Sequence, residues 1–360
     1  MNIDDLSVYP DNTLFMALNK MDAIKKKLLI IKNEQGQYIG LLSIGDIQRA
    51  IIKGHQLSDA LGNINHDDKV VATTLDSIDC IKSLMLSMRA EFMPILDEQS
   101  EIKDVIFWEE ISERDEPLVK IKNKVPVVVM AGGKGTRLKP ISNILPKPLI
   151  PIGEKTILEE IIHRFKSAGS EDFYLSVNYK KEMIQYYLES VNTKVEYFSE
   201  DKPLGTAGSL SILKGKLNST FYVTNCDILI DQDLNELYKY HKENKNDITL
   251  VAALKNFSIP YGTIVTGEGG LLLEMQEKPN FSFKINTGVY ILEPHILQEI
   301  PDNTFLHITD LIENVRAAGG RVGVFPISEN SWLDIGEWPE YMKTVSRLSD
   351  EDSFKGLKYE

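Results

Sequence analysis

Two cysteines, Cys80 and Cys226, are all that 360 residues carry, and they lie far apart. So few thiols exclude a disulfide framework and a cysteine-rich zinc site. The six histidines are scattered without ligand spacing, so no histidine-based metal centre is expected either. No run approaches the roughly 18 apolar residues of a membrane span. The start, MNIDDLSVYP, has no basic stretch followed by an apolar core, so no secretory leader is read there. The expected setting is the cytoplasm, with no membrane partner. Positive charge is also short: 40 Lys and Arg stand against 53 Asp and Glu, a net charge of −13. That balance argues against a nucleic-acid partner, because a phosphate backbone demands a basic surface. A small anionic substrate needs only a local cluster of cations.

What is present is an ordinary globular composition, 42% hydrophobic and 26% charged. The length suggests about two domains, at roughly 100–200 residues each. The chain divides at SERDEPLVKIKNK, residues 112–124, which is charged, contains Pro117 and lacks apolar periodicity. The expected organisation is a first region over 1–115, a linker over 116–124, a second region over 125–350 and a short charged tail over 351–360.

The first region contains a weak internal repeat. Leu28-Leu29-Ile30-Ile31, a turn at Asn33-Glu34-Gln35-Gly36 and Tyr38–Leu42 read as strand, turn, strand, followed by helical spacing at Ile47, Ala50 and Ile51. A second copy runs Phe92–Leu96, Asp97–Ser100 and Ile102–Phe107, with a helix expected to start near Glu109. Aligning Asp46 with Glu109 gives a period of 63 residues (109 − 46), too long and too few in copies for a solenoid.

From Val125 onward strand-like and helical runs alternate, which predicts an α/β domain with a mostly parallel sheet covered on both faces. Strands are expected at Phe173–Val177, Val195–Phe198, Phe221–Val223, Ile248–Ala252 and Val289–Leu292. Thr156 and Glu159 form a capping box for a helix whose face is Ile157, Ile161 and Phe165, with Gly169 as its C-terminal cap.

The strand-like run Val127–Met130 leads into Ala131-Gly132-Gly133-Lys134-Gly135-Thr136-Arg137, with Pro146-Lys147-Pro148 soon after. Glycines let a backbone approach a ligand closely, and successive exposed N–H groups cradle phosphate oxygens. Lys134, Arg137 and Lys147 make a polyphosphate the natural guest. The loop lacks P-loop spacing, and Leu138 stands where a dinucleotide fingerprint has its third glycine.

Further candidates lie downstream. Glu200-Asp201-Lys202-Pro203-Leu204-Gly205-Thr206-Ala207-Gly208-Ser209 joins a strand to a helix. Its glycines permit close approach of a ligand, or Thr206 or Ser209 simply caps the helix. Asp227 ends an apolar strand, where α/β sheets bind ligands. A carboxylate there beside a polyphosphate suits Mg²⁺, and a turn aspartate is the alternative. Asp334, between Leu333 and Ile335, is an odd place for a charge unless something pairs with it. Glu277 and Asn286 can hydrogen-bond sugar hydroxyls and Lys278 can hold a monophosphate, or each is a turn residue; Tyr261-Gly262, after Pro260, also reads as a turn.

Together these pieces resemble the sugar-1-phosphate nucleotidyltransferases, the nucleotide-sugar pyrophosphorylases, over Val125 to Leu348. The resemblance implies a Rossmann-like nucleotidyltransferase fold. In that family's terms Ala131, Gly132, Gly133, Gly135, Thr136, Gly205 and Thr206 bind the nucleotide and Arg137 and Lys147 contact its phosphates. Asp227 and Asp334 hold Mg²⁺, while Tyr261, Gly262, Glu277, Lys278, Asn286 and Thr287 hold the sugar phosphate. Asn225-Cys226-Asp227 departs from the family's commoner Asn-Gly-Asp.

The implied reaction joins a nucleoside triphosphate and a sugar 1-phosphate into a nucleotide sugar for bacterial glycan synthesis. Glu200 occupies the position where the family often reads the base edge. A carboxylate only accepts hydrogen bonds, and guanine presents two adjacent donors, so GTP is the expected nucleotide. The alternative is that Glu200 faces solvent, a backbone group reads the base, and UTP, CTP or dTTP is used. The first region resembles an α+β pair of CBS domains, in which a hydroxyl residue and an aspartate three positions later hold an adenosyl ribose. Ser43 and Asp46 match this, so AMP or ATP is an expected ligand, with packing alone as the alternative. In the second copy Ile106 and Glu109 take those places and the hydroxyl is gone. Assembly as a homo-oligomer is expected.

Overall fold

Val127, Val128 and Val129 are each fully buried, with Val127 and Val129 in one apolar cluster and Val128 in another. A strand covered on both faces has no solvent side to alternate toward, which is why this run is uninterrupted β-branched sequence. It belongs to a seven-stranded sheet in the computed structural model, which describes residues 2–64, 69–88, 90–108, 124–200 and 202–346. The strand order is Glu196–Phe198, Phe173–Ser176, Val127–Met130, Phe221–Asn225, Asn280–Leu292, Ile248–Ser258 and Val322–Ser328. The first four run parallel, Phe221–Asn225 is antiparallel to Asn280–Leu292, and Ile248–Ser258 is parallel to Val322–Ser328. The expected α/β fold with a mostly parallel sheet is therefore the fold observed. Val127–Met130 sits inside the parallel half, so its C-terminal end opens where ligands of such sheets bind.

The helix Ile157–Ser167 begins at the expected capping box. Thr156 Oγ1 accepts the Glu159 N–H at 3.2 Å and Glu159 Oε2 accepts the Thr156 N–H at 2.8 Å. Gly169 follows at φ +100°, the left-handed conformation that ends helices. Three expected strands prove longer, Phe221–Asn225, Ile248–Ser258 and Asn280–Leu292, and Val322–Ser328 joins the sheet without having been expected. A short antiparallel pair, Ile228–Ile230 with Trp332–Asp334, stands apart from the sheet.

The chain gathers into two compact units, Met1–Lys120 with Asn256–Ser282, and Ile121–Lys255 with Phe283–Glu360. In the first, the repeat appears as two three-stranded sheets of one design. Ser7–Val8 runs parallel to Leu28–Lys32, which is antiparallel to Tyr38–Ser43. Ala72–Thr73, Phe92–Leu96 and Ile102–Phe107 repeat the pattern. Both antiparallel pairs shift register at the same step, Ile31/Lys32 and Ile95/Leu96.

Strand register places Phe92 at the position of Leu28 and Phe107 at that of Ser43. The period is thus 64 residues (92 − 28, 107 − 43), a correction to 63. The turns agree, with Asn33 donating to Gln37 O and Asp97 to Glu101 O. Phe107 rather than Ile106 replaces the Ser43 hydroxyl, so the loss of that hydroxyl stands. Glu109, the helix expected there, the linker up to Asn123 and the tail lie outside the described residues. Leu6, Ile30 and Leu41 of the first copy share one buried cluster with Ile81, Met85 and Phe92 of the second, so each copy covers the apolar face of the other.

The hairpin Thr263–Thr266 with Leu272–Gln276 also belongs to this unit. Among the described residues no helix is long and apolar enough to cross a membrane.

Candidate active site

The glycines of the loop after Val127–Met130 are there for different reasons. Gly135 has φ +62°, and a Cβ on it would meet the Lys147 Cβ at 2.9 Å. It lets the Lys147 segment pack closely. A Cβ on Gly132 would only touch that of Asn178, at 3.4 Å. Gly133 has neither a left-handed backbone nor any atom within 4 Å of a would-be Cβ. Nothing among the described residues demands glycine there, and the bare, exposed backbone is what an approaching phosphate requires. Thr136 and Arg137 are exposed on a short 3₁₀ turn, whereas Ala131 is buried and donates its N–H to Ser176 O at 3.0 Å.

Lys147 is buried, and its Nζ lies 2.6 Å from Asp227 Oδ2. Asp227 and Asp334, distant in sequence, are joined by the short strand pair, which sets Ile228 opposite Asp334 while Ile335 donates its N–H to Asp227 O at 2.8 Å. The half-buried Asp334 carboxyl is pushed above the ordinary carboxylate range, mainly by burial. The Gly336 N–H, donated to Oδ1 at 2.6 Å, opposes this, the negative charge of Asp227 adds to it, and Lys147 and Arg137 oppose it again. Arg137 reaches Glu337 at 3.3 Å with its side chain 62% exposed, a solvent-screened pair that holds it weakly. Two carboxylates and two cations thus gather at one end of the sheet.

Two oxygen ligands of this hardness, completed by phosphate oxygens, fit a small divalent cation. Among the described residues no cluster of three or more His, Cys, Asp or Glu is placed to hold a metal from protein groups alone. The Cys226 thiol is buried and pushed up to about 12 by burial, which keeps it out of thiolate chemistry.

The loop at 205–208 serves the fold more than the sequence suggested. Gly205, at φ +78°, and Gly208 make room for the backbone of Thr304–Leu306, where Cβ atoms would meet Leu306 O at 2.5 Å and Thr304 O at 2.3 Å. Ala207 and Gly208 donate their N–H groups to Leu306 O. Thr206 does not cap its own four-residue helix; its Oγ1 accepts the Ile308 N–H at 2.9 Å, at the start of helix Ile308–Ala317. Ser209 Oγ is buried with no partner among the described residues and caps nothing there. Glu200 Oε2 accepts the Leu204 N–H at 2.8 Å, which fixes the direction of its carboxylate.

Asn286 donates from Nδ2 to the Tyr290 hydroxyl at 2.9 Å and accepts the Gly288 N–H at 3.1 Å. Thr287 is buried with its hydroxyl donated to Val251 O at 2.9 Å, so its side chain braces the strand instead of facing a ligand. Gly288, at φ +84°, packs against Asn225, whose Nδ2 would lie 2.5 Å from an added Cβ. Within the first unit, the pairing of Thr263 with Gln276 sets Gly262 against Glu277, whose Oε2 would lie 2.9 Å from a Cβ on the glycine. Lys278 there adopts φ +46°, and Tyr261 is exposed.

Ser43 and Asp46 are engaged with each other. Ser43 Oγ caps the helix Ile44–Ile52, and Asp46 Oδ2 accepts both the N–H and the hydroxyl of Ser43 at 2.7 Å. Arg49 and Lys69 also donate to Asp46. Burial alone would raise this carboxyl, but the Lys69 and Ser43 hydrogen bonds and the Lys69 charge hold it below its usual value. Lys69, Glu337 and Gly336 were not singled out from the sequence. A glycine two residues after Asp334 was the available sign for Gly336; a distant ion-pair partner leaves none.

A model of the nucleotidyl transferase family matches residues 126–351, well over half the chain. The chain belongs to that family. A CBS domain model matches residues 1–53 of this chain, the first copy of its N-terminal repeat. Among curated relatives, a mannose-1-phosphate guanyltransferase of Aspergillus oryzae is 31% identical over 229 residues, covering 60% of this chain and 62% of its own. A mannose-1-phosphate guanylyltransferase of Mycobacterium tuberculosis is 29% identical, covering 63% and 65%. A UTP–glucose-1-phosphate uridylyltransferase of Synechocystis is 30% identical, covering 61% and 62%. The chain therefore spans less than two thirds of each of these relatives. The crystal structure of HddC from Yersinia pseudotuberculosis matches with a TM-score of 0.50 at 27% identity, over 62% of this chain and 99% of that one.

Proposed function

We propose that the transferase moves a nucleotidyl group from a nucleoside triphosphate, GTP by preference, to a sugar 1-phosphate, releasing pyrophosphate. The observation that carries this reading is the convergence of Asp227, Asp334, Lys147 and Arg137 beside a glycine loop with an unobstructed face. A sugar-phosphate oxygen attacks the α-phosphorus in line, the bond from that phosphorus to the α–β bridging oxygen breaks, and pyrophosphate leaves with the electron pair. A phosphate monoester is already largely ionised near neutral pH, its second pKa being about 6, so no general base is required.

The chain supplies alignment and charge. Arg137 and Lys147 steady the phosphate oxygens, and the loop at Gly132–Gly135 cradles the triphosphate through its N–H groups. Asp227 and Asp334 hold Mg²⁺, which when bound draws charge from the reacting phosphates. Asn286, Glu277 and Lys278 are assigned to the sugar phosphate, and Glu200 to the base edge. Guanine alone among the common bases offers that carboxylate two adjacent donors, and relatives named as guanylyltransferases accord with it.

The product is an activated sugar, the form that a glycosyl transfer in glycan synthesis consumes. Adenine-nucleotide control at Ser43 and Asp46 belongs to the same proposal; for such a ligand to be held there, the reciprocal cap must loosen. Pyrophosphate release measured with GTP, UTP, CTP and dTTP against mannose-, glucosamine- and heptose 1-phosphates tests the reading, with and without AMP. GTP is expected to be fastest. A preference for UTP would overturn the Glu200 assignment, and no release with any pair would overturn the activity.

A further inference from the structure

Gly336 follows the Trp332–Asp334 strand by two residues, and its backbone lies outside the left-handed region. A left-handed φ is therefore not what calls for glycine here. The surroundings supply the reason. A Cβ at this position would stand 2.8 Å from Asp334 Oδ1, 3.4 Å from Asp227 Oδ2 and 3.5 Å from Arg137 Nη2. The missing side chain thus marks the point on which both carboxylates and the exposed cation converge. From the same residue the backbone N–H is donated to Asp334 Oδ1 at 2.6 Å.

We infer that Gly336 is a positioning residue with two functions. Its N–H fixes the rotation of the Asp334 carboxylate, and its bare Cα keeps open the space that a divalent cation shares with the Asp227 and Asp334 oxygens. The inference rests on the proposed metal role of the two aspartates. Its steric part is specific to the site. The atom that a methyl group would strike is the end of a short side chain, so Gly336→Ala folds by turning the Asp334 carboxylate aside. The damage falls on the cation and leaves the core intact.

The test uses Mn²⁺ as the probe, its free concentration read by electron paramagnetic resonance, on the full chain with a non-hydrolysable GTP analogue. Gly336→Ala is expected to weaken Mn²⁺ binding about 10–100-fold, the usual cost of disturbing a ligand's outer partners. Its circular dichroism and thermal midpoint should match wild type, and kcat should fall more than the KM for the sugar phosphate changes. Raising Mn²⁺ should recover part of the lost turnover, which a merely structural defect would not allow. If wild type binds Mn²⁺, Asp227→Asn abolishes it and Gly336→Ala binds it normally, the inference fails alone. If wild type binds none, the metal reading fails and the inference with it.

Discussion

Each unit buries a carboxylate, and the two are treated in opposite ways. Asp46 is fully enclosed and answered by its own unit, through the N–H and hydroxyl of Ser43 and the cations Arg49 and Lys69. Its carboxyl is held below the ordinary value. Asp334 is half-buried, accepts one short hydrogen bond from Gly336 and lies near a second carboxylate, and its carboxyl is pushed up. A buried charge that the chain satisfies itself contributes to the fold. One left in strained company is the mark of a site that a ligand completes. The cysteines differ in exposure only, Cys80 exposed in one unit and Cys226 buried in the other.

The comparison can be broken most severely at the second unit. Asp227→Asn should lower turnover by about 10²–10³-fold, the scale of losing one group that stabilises transition-state charge, with circular dichroism unchanged. Normal pyrophosphate release by that variant would remove the metal assignment. Asp46→Ala strikes the other carboxylate, taking away the reciprocal half of the capping box and the ion-pair partner of Lys69. Thermal unfolding of the N-terminal unit should show a loss of about 1–3 kcal/mol.

The sign of its pH dependence follows from the depressed carboxyl. A folded-state value below the unfolded one stabilises at every pH above the ordinary carboxylate range, and that stability is lost as the pH falls through the folded value. Midpoints of wild type and Asp46→Ala should therefore differ at pH 7 and draw together below about pH 4. A gap that stays unchanged as the pH falls below the ordinary carboxylate range would contradict the assignment. A smaller effect is expected at Glu200, where Gln offers one acceptor and one donor. Relative kcat/KM for GTP over UTP should drop about tenfold, the value of roughly one hydrogen bond at a buried site. The smallest concerns the thiols. Iodoacetamide at neutral pH should label Cys80 alone, as mass spectrometry can read, and leave turnover unchanged.

Local signals carried much of this architecture in the sequence. The uninterrupted Val127–Met130 strand, the Thr156–Glu159 capping box and the strand after the Asp97–Ser100 turn are each written in a few neighbouring residues, and each appears where the pattern puts it. What was not legible depends on distant partners. Ile228–Ile230 and Trp332–Asp334 are three residues each, too short for a period, and exist because they pair with each other. That pairing is what unites Asp227 with Asp334. The repeat period missed by one residue because it was aligned on Asp46 and Glu109, whereas strand register decides the correspondence. Thr206 reads as a cap for the helix it begins, and only the fold brings the Ile308 N–H to it. The glycine pattern announced flexibility without saying which glycines serve the backbone, which the packing and which the space beyond.

The contact between Lys147 and Asp227, at 2.6 Å, has one more consequence. An unpaired charge at the depth of Lys147 would be costly to bury, and removing one partner of a buried pair leaves the other uncompensated. By setting its lysine on its aspartate, the site keeps its charges balanced at rest. Under the proposed function, binding of a metal–nucleotide pair would be an exchange of partners, with Lys147 turning to phosphate and Asp227 to the metal.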